Sequence, residues 1–327
     1  MLIRVFKSPQ TVTLFAVPLL CALVVVFAFS VNHQFVIYDS SHGVLYSLLL
    51  QLPGTSLKWT CGIISFALIT YQVLFFNHII SLHEVLYKPS NLPALMHLIS
   101  LALLPSFLCF SPFLFINSLL LLSIHKTLQL YKAETALGLA FDTCFIIAGM
   151  TMLYSPCILF LLFFIISLSI LRPFNWREWL VALMGFITPW ILIWVILFLM
   201  DKQGSVHMFD DVQHLKPLVK LHTLSKANTV TAAGILILMV LSLFKLRNNY
   251  FKNVIKMRKY QLCILILLII TLLIVFIPFQ HSEARFSLLA VPVSVLLAYY
   301  FIALKRSFFY ELLFSLIIAL LVYNYIQ

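Results

Sequence analysis

The chain has 327 residues, of which 63% are hydrophobic and 9% charged, with a mean hydropathy of +1.09 and a formal net charge of +11. So little charge excludes a soluble globular protein. At roughly 20 residues per crossing, the length suits about eleven membrane spans with short connections and leaves no room for a large soluble domain.

In chain order, Arg4 and Lys7 precede an apolar run over 11 to 31 that lacks an A-x-A cleavage site behind it, so it is expected to stay as the first helix. Further helices are expected near 59–76, 92–110, 113–130, 137–153, 156–171, 178–200, 229–245, 261–279, 286–304 and 308–325. The pair 137–153 and 156–171 is short, and Ser155-Pro156 suits a kink or re-entrant tip as well as a turn between two spans. The whole of 1–327 reads as one all-α transmembrane domain. Its six cysteines (Cys21, Cys61, Cys109, Cys144, Cys157 and Cys263) fall singly in apolar segments and read as small packing residues.

A cytoplasmic N-terminus places Arg4, Lys7, Lys88, Lys126, Lys132, Arg172, Arg177, Lys245, Arg247, Lys252, Lys256, Arg258, Lys259, Lys305 and Arg306 on the cytoplasmic side. Lys58, Lys202, Lys216, Lys220, Lys226 and Arg285 remain outside, and this asymmetry predicts that orientation. The basic stretch at 245–260 is then a topology anchor against anionic lipid, and no nucleic-acid partner is expected.

Three extracytoplasmic segments follow: 32–58, 201–228 and 280–285. In the first, Asp39 precedes Gly43–Leu52, an apolar decapeptide too short to span and closed by Pro53-Gly54, which reads as an interfacial helix. In the second, His207, Asp210, Asp211 and His214 are suitable ligands for a divalent metal, although their spacing matches no metal motif. That ion is the one cofactor the residues suggest. In the third, Gln280-His281-Ser282-Glu283-Ala284-Arg285-Phe286, followed by Pro292, sets a base, an acid and a guanidinium at the mouth of a helix. Arg285 could fork onto a phosphate with Glu283 orienting it, or the two could simply mark the membrane boundary.

Elsewhere, Asp142 falls inside an expected span, where a carboxylate is costly unless it reaches water, caps the helix or serves a function. Asn77, His78, Ser81, His83 and Glu84 read as a solvated helix end, and Arg172, Asn175, Trp176, Arg177, Glu178 and Trp179 as an interfacial anchor. No Walker loop, dinucleotide fingerprint, HExxH or GxSxG occurs, so nucleotide-driven transport and serine hydrolysis lack a warrant.

The pattern His281-x-Glu283-x-Arg285-Phe286 with a following proline resembles the H-K-E-x-R-F signature of the mannosyltransferase branch of the GT-C superfamily, with Ser282 in place of the lysine. Those multi-pass enzymes use polyprenyl-phosphate sugars and carry a catalytic acid in their first extracytoplasmic loop, where Asp39 stands here, followed by Ser40 instead of a second acid. The resemblance implies a GT-C-like bundle in which Asp39 is general base and His281, Glu283 and Arg285 hold the lipid phosphate, with a sugar, plausibly mannose, passed to an acceptor. Most of the chain, including the 131–190 segment, also resembles an uncharacterised family of bacterial inner-membrane proteins. The alternative is therefore a non-catalytic subunit, with membrane-protein partners, of an envelope-assembly or secretion complex.

Overall fold

A computed structural model describes residues 6–7, 11–31, 58–199, 226–276, 283–304 and 307–326. These form eleven α-helices: α1 Thr11–Val31, α2 Lys58–Leu82, α3 Leu92–Ala102, α4 Pro112–Gln129, α5 Ala136–Leu153, α6 Phe160–Leu171, α7 Trp176–Leu199, α8 Lys226–Asn249, α9 Ile255–Phe276, α10 Ala290–Ala303 and α11 Ser307–Ile326. Short 3-10 segments lie at Pro105–Phe107, Ser155–Leu159, Tyr250–Lys252 and Glu283–Leu289. The protein is an all-α polytopic membrane bundle, the architecture in which apolar segments satisfy their own backbone hydrogen bonds within lipid.

Among the described residues, seven segments are long and apolar enough to cross a membrane: α1, α2, α5, α7, α8, α9 and the Glu283–Ala303 segment that contains α10. The helix expected over 92–110 is divided. Its α-helical part ends at Ala102, and Pro105 opens a separate 3-10 turn because proline has no N–H to continue the ladder. Eleven residues rise only about 16 Å, half a hydrocarbon core, so α3 is a buried inner helix and not a full crossing by itself. Ser155-Pro156 likewise opens a 3-10 turn between two distinct helices, α5 and the shorter α6.

Side-chain bonds fix which helix ends lie together. Glu84 beyond α2 pairs with Lys256 of α9, the Tyr260 hydroxyl donates to the Leu128 carbonyl at 3.1 Å, and Lys259 donates to the Leu171 carbonyl at 3.3 Å. Tyr87 donates to Ile302 O, and Lys7 to Leu304 O. The connections 83–91, 130–135, 172–175 and 250–254 therefore share one end of the bundle, which also holds Lys88, Lys126, Lys132, Arg172, Arg177, Lys252, Lys256, Arg258 and Lys259. We call it the basic end. At the far end, Asn324 of α11 donates to the Leu103 carbonyl at 2.7 Å and Tyr325 stacks on Phe27 of α1. Successive helices thus alternate in direction, α1 starting at the basic end and α11 finishing at the other.

Every residue of α3 is buried, and α10 is nearly so. These two antiparallel helices form the centre. By contrast, α1, α7 and α8 expose most of their apolar side chains, including Phe15, Trp194 and Ile237, as lipid-facing helices do.

Candidate functional site

The Glu283–Leu289 3-10 turn leads directly into α10, with Pro292 in the first turn of the α-helix, close to where the hydrogen-bond pattern changes from 3-10 to α. Two contacts hold this turn: Ala284 is fully buried, and Asn117 of α4 donates from Nδ2 to both the hydroxyl and the carbonyl of Ser287, at 3.2 and 3.3 Å. Glu283, Arg285 and Phe286 are consequently presented, each half-buried, at the end opposite the basic one. The Arg285 guanidinium lies 5.4 Å from the Phe286 ring centroid, within cation–π range.

Phe286 also lines a cavity of about 230 Å³ between α3, α8, α9 and α10. Leu103, Phe107, Ile235, Phe276 and Val293 supply apolar wall, and Ser100 and Thr231 are the polar residues there. Such a lining suits a hydrocarbon chain; a sugar would leave its hydroxyls without partners. Of the residues expected to work together, Glu283 and Arg285 share this turn, whereas Asp39 and His281 lie outside the described residues. The candidate metal ligands His207, Asp210, Asp211 and His214 lie outside them too. Among the described residues no group of three or more His, Cys, Asp or Glu side chains could hold a metal ion.

Sequence patterning does not single out the polar residues that organise the centre. His97 of α3, wholly buried, sets Nδ1 3.3 Å from the Ser294 hydroxyl of α10 and stacks its ring 4.5 Å from that of Phe76. Gln72 of α2 donates to the Leu114 carbonyl at 2.7 Å and to the Ser118 hydroxyl at 2.9 Å on α4. Each of these bonds ties two helices, the role such groups commonly take in lipid. The one signal they leave is a His or Asn, with a nearby serine, in an otherwise apolar run, LPALMHLIS or PFLFINSLLLL.

The polar run at the end of α2 is less solvated than expected. His83 is buried, with Nε2 3.2 Å from His125 Nδ1, while His125 Nε2 lies 3.0 Å from Gln129 Nε2. Burial, and then the positive charge of His125, Lys256 and His78, lowers the His83 pKa to about 4. A folded-state value below the usual 6.5 means that the unfolded chain binds the extra proton, so this contribution is complete above pH 6.5 and lost as pH falls toward 4. Thermal unfolding measured from pH 7.5 to 4.5 should therefore decline over that window, and His83→Gln should flatten the decline. An unchanged slope in the variant would remove His83 as its cause.

Asp142 pairs with Lys126 at 3.0 Å, with its side chain about half exposed, so this carboxylate reaches water as part of a surface pair between α4 and α5. The Arg172–Glu178 segment is more than an anchor. Glu178 is buried and sits 3.3 Å from Arg172 Nε, while Arg172 Nη1 donates to the carbonyls of Leu130 and Ala133. Arg172, held by Glu178 at the start of α7, thereby ties the α6–α7 connection to the α4–α5 connection.

One protein-family model matches residues 34–327, nine-tenths of the chain, and its description is a family of unknown function, DUF6427. No curated protein and no solved structure shows detectable similarity to the chain.

Proposed function

Because the chain belongs to DUF6427, a family whose description carries no activity, we propose a role from its own chemistry: a non-catalytic integral membrane subunit of an envelope-assembly or secretion complex, sited in a bacterial inner membrane. The supporting observation is how its polar side chains are spent. His97, Gln72, Asn117, Tyr260, Lys259 and Arg172 each tie two elements of the bundle together, and the cavity at the far end is apolar. This is the construction of a rigid membrane body, with lipid-facing outer helices available to neighbours. A deletion strain tests it by two readouts. Loss of one defined membrane complex with envelope glycans intact is the expected result, and loss of a single sugar with every complex intact would overturn it.

A second reading, a GT-C-like transferase of sugar from a polyprenyl-phosphate donor, is favoured by the Glu283–Phe286 turn at the wall of a cavity that suits a hydrocarbon chain. In it, Asp39 is general base and His281, Glu283 and Arg285 hold the phosphate. Donor binding and sugar transfer, measured separately in folded variants, check this reading. Asp39→Asn should abolish transfer and spare binding, whereas Arg285→Lys should weaken binding by losing the planar fork. Unchanged behaviour in both variants would leave the subunit reading alone.

A further inference from the structure

The connection from α2 to α3 encloses a second cavity, of about 280 Å³, at the basic end, remote from the Glu283–Phe286 turn. Its lining mixes apolar residues, Ile80, Leu86 and Met257, with the polar and charged Ser81, Glu84, Lys88 and Ser90. Its position, where the apolar span of α2 gives way to a polar turn, and its mixed polar and apolar lining match the boundary region of a lipid, where acyl chain meets headgroup.

The turn is built at a conformational cost. The amide of Glu84 donates to Ser81 O and that of Val85 to Ile80 O, the paired bonds that close a helix C-terminus through a residue in the left-handed region. That residue is Glu84, at φ 53°, where glycine would carry no steric penalty. Glu84 takes that position with a charged side chain, as Lys132 does elsewhere, and what sets it apart is the partner that side chain holds. The Glu84 carboxylate holds the Lys256 ammonium at 3.1 Å, immediately before the wall residue Met257.

Two further features concern the cavity's ligand chemistry. Ser90 is 5% exposed, and its hydroxyl has no hydrogen-bond partner, an arrangement that costs free energy when nothing completes it. Lys88 lies on the wall beside the Tyr87 ring, and its charge, after burial, lowers the pKa of the neighbouring Lys7. Lys88 on the wall, Lys256 next in sequence to the wall residue Met257, and Lys7 close enough to Lys88 to feel its charge give this end of the cavity positive charge, against the carboxylate of Glu84.

We propose that this cavity binds the phosphate group of a membrane lipid headgroup, with Lys88 and Ser90 as its contacts, Lys256 held alongside by Glu84, and the lipid's glycerol and chains against Ile80, Leu86 and Met257. The site is independent of any activity at the Glu283–Phe286 turn. A lipid source is favoured over a soluble phosphate ester because half of the lining is apolar.

The test uses the full-length protein, purified in mild detergent and exposed to mixed micelles of phosphatidylglycerol, with retained phospholipid counted by native mass spectrometry. Lys88→Gln is expected to lower retention about tenfold, the loss of one charge-assisted hydrogen bond. Lys132→Gln is the matched control. Lys132 also has positive φ and lies over a tyrosine ring, that of Tyr131, at the same end of the bundle, yet it does not line the cavity. Equal loss in both variants would mean general attraction to basic surface and would overturn the proposal. Glu84→Gly should retain or raise the unfolding temperature while lowering retention, a split that a purely structural role for Glu84 would not produce. Full displacement of the lipid by glycerol phosphate or inorganic phosphate at similar concentration would overturn the lipid assignment in favour of a soluble ester.

Discussion

Replacing Glu178 with alanine should lower the stability of the bundle by about 3 kcal/mol, at the lower end of the cost of breaking a buried ion pair. Glu178 is 3% exposed, and its carboxylate is the acid bound to Arg172, with Asn175 donating to it from 3.4 Å. Its removal leaves the guanidinium in a site from which water is largely excluded. The carbonyls of Leu130 and Ala133 still accept from Arg172, which is why the lower end of the range applies. Glu178→Gln should cost less, since it keeps the size and one acceptor. Arg172→Met combined with Glu178→Leu should recover much of the loss, because the desolvation of both charges is then avoided. Denaturant unfolding in micelles reads all three. An alanine variant within about 0.5 kcal/mol of the parent would show that the bridge contributes no net stability.

The same reasoning gives Asp142→Asn a small effect, within about 1 kcal/mol, because its partner Lys126 and the carboxylate are both solvated. Two ion pairs of similar length thus differ in consequence through burial alone.

Much of the architecture was legible in the sequence, because an apolar run of a given length has few options in lipid. The helices expected as spans appear in the same order as α1–α11, although α3 covers only part of 92–110 and seven segments among the described residues are long enough to cross. The interfacial helix expected over 43–52 lies outside the described residues. The gathering of basic residues at one end follows from the alternation of short connections. Less legible was whatever depends on which helices become neighbours. Glu178 looked like a boundary residue beside Trp176 and Trp179, and only the folded chain shows it buried and paired with Arg172, which the 130–135 connection holds through its carbonyls. His97 gave the signal of a polar residue in an otherwise apolar run, which cannot say that Ser294, nearly two hundred residues away, will meet it. Glu84 gave none, since a C-terminal cap of this kind ordinarily shows itself by glycine. The candidate site was legible only in part. Sequence placed Glu283, Arg285 and Phe286 at the start of a helix, but the apolar cavity beside them is assembled from α3, α8, α9 and α10 and has no local motif.

Gly185→Val should detach α7 from α5. A Cβ built at Gly185 would stand 2.5 Å from the carbonyl oxygen of Phe141 and 3.0 Å from its Cα, and these are backbone atoms that cannot rotate away. The helices must therefore separate, an overpacking cost of about 1–3 kcal/mol, increased by the looser packing that separation leaves along the rest of the interface. Pro189 adds to the sensitivity of this turn. Four residues after Gly185, it has no N–H for the Gly185 carbonyl, so α7 lacks a ladder bond at a point where it approaches α5 closely. Gly138 and Gly149 on α5 provide the internal comparison, since a Cβ at either meets nothing within 4 Å. Alanine there should be neutral or stabilising by up to about 1 kcal/mol, because it raises helix propensity without a clash. Opposite signs are thus expected from glycines in the same pair of helices. Unfolding temperature, together with disulfide cross-linking of cysteines introduced on the facing sides of α5 and α7, tests the idea. An unfolding temperature equal to the parent's, with cross-linking intact in Gly185→Val, would mean that the close approach at Phe141 does not hold the two helices together.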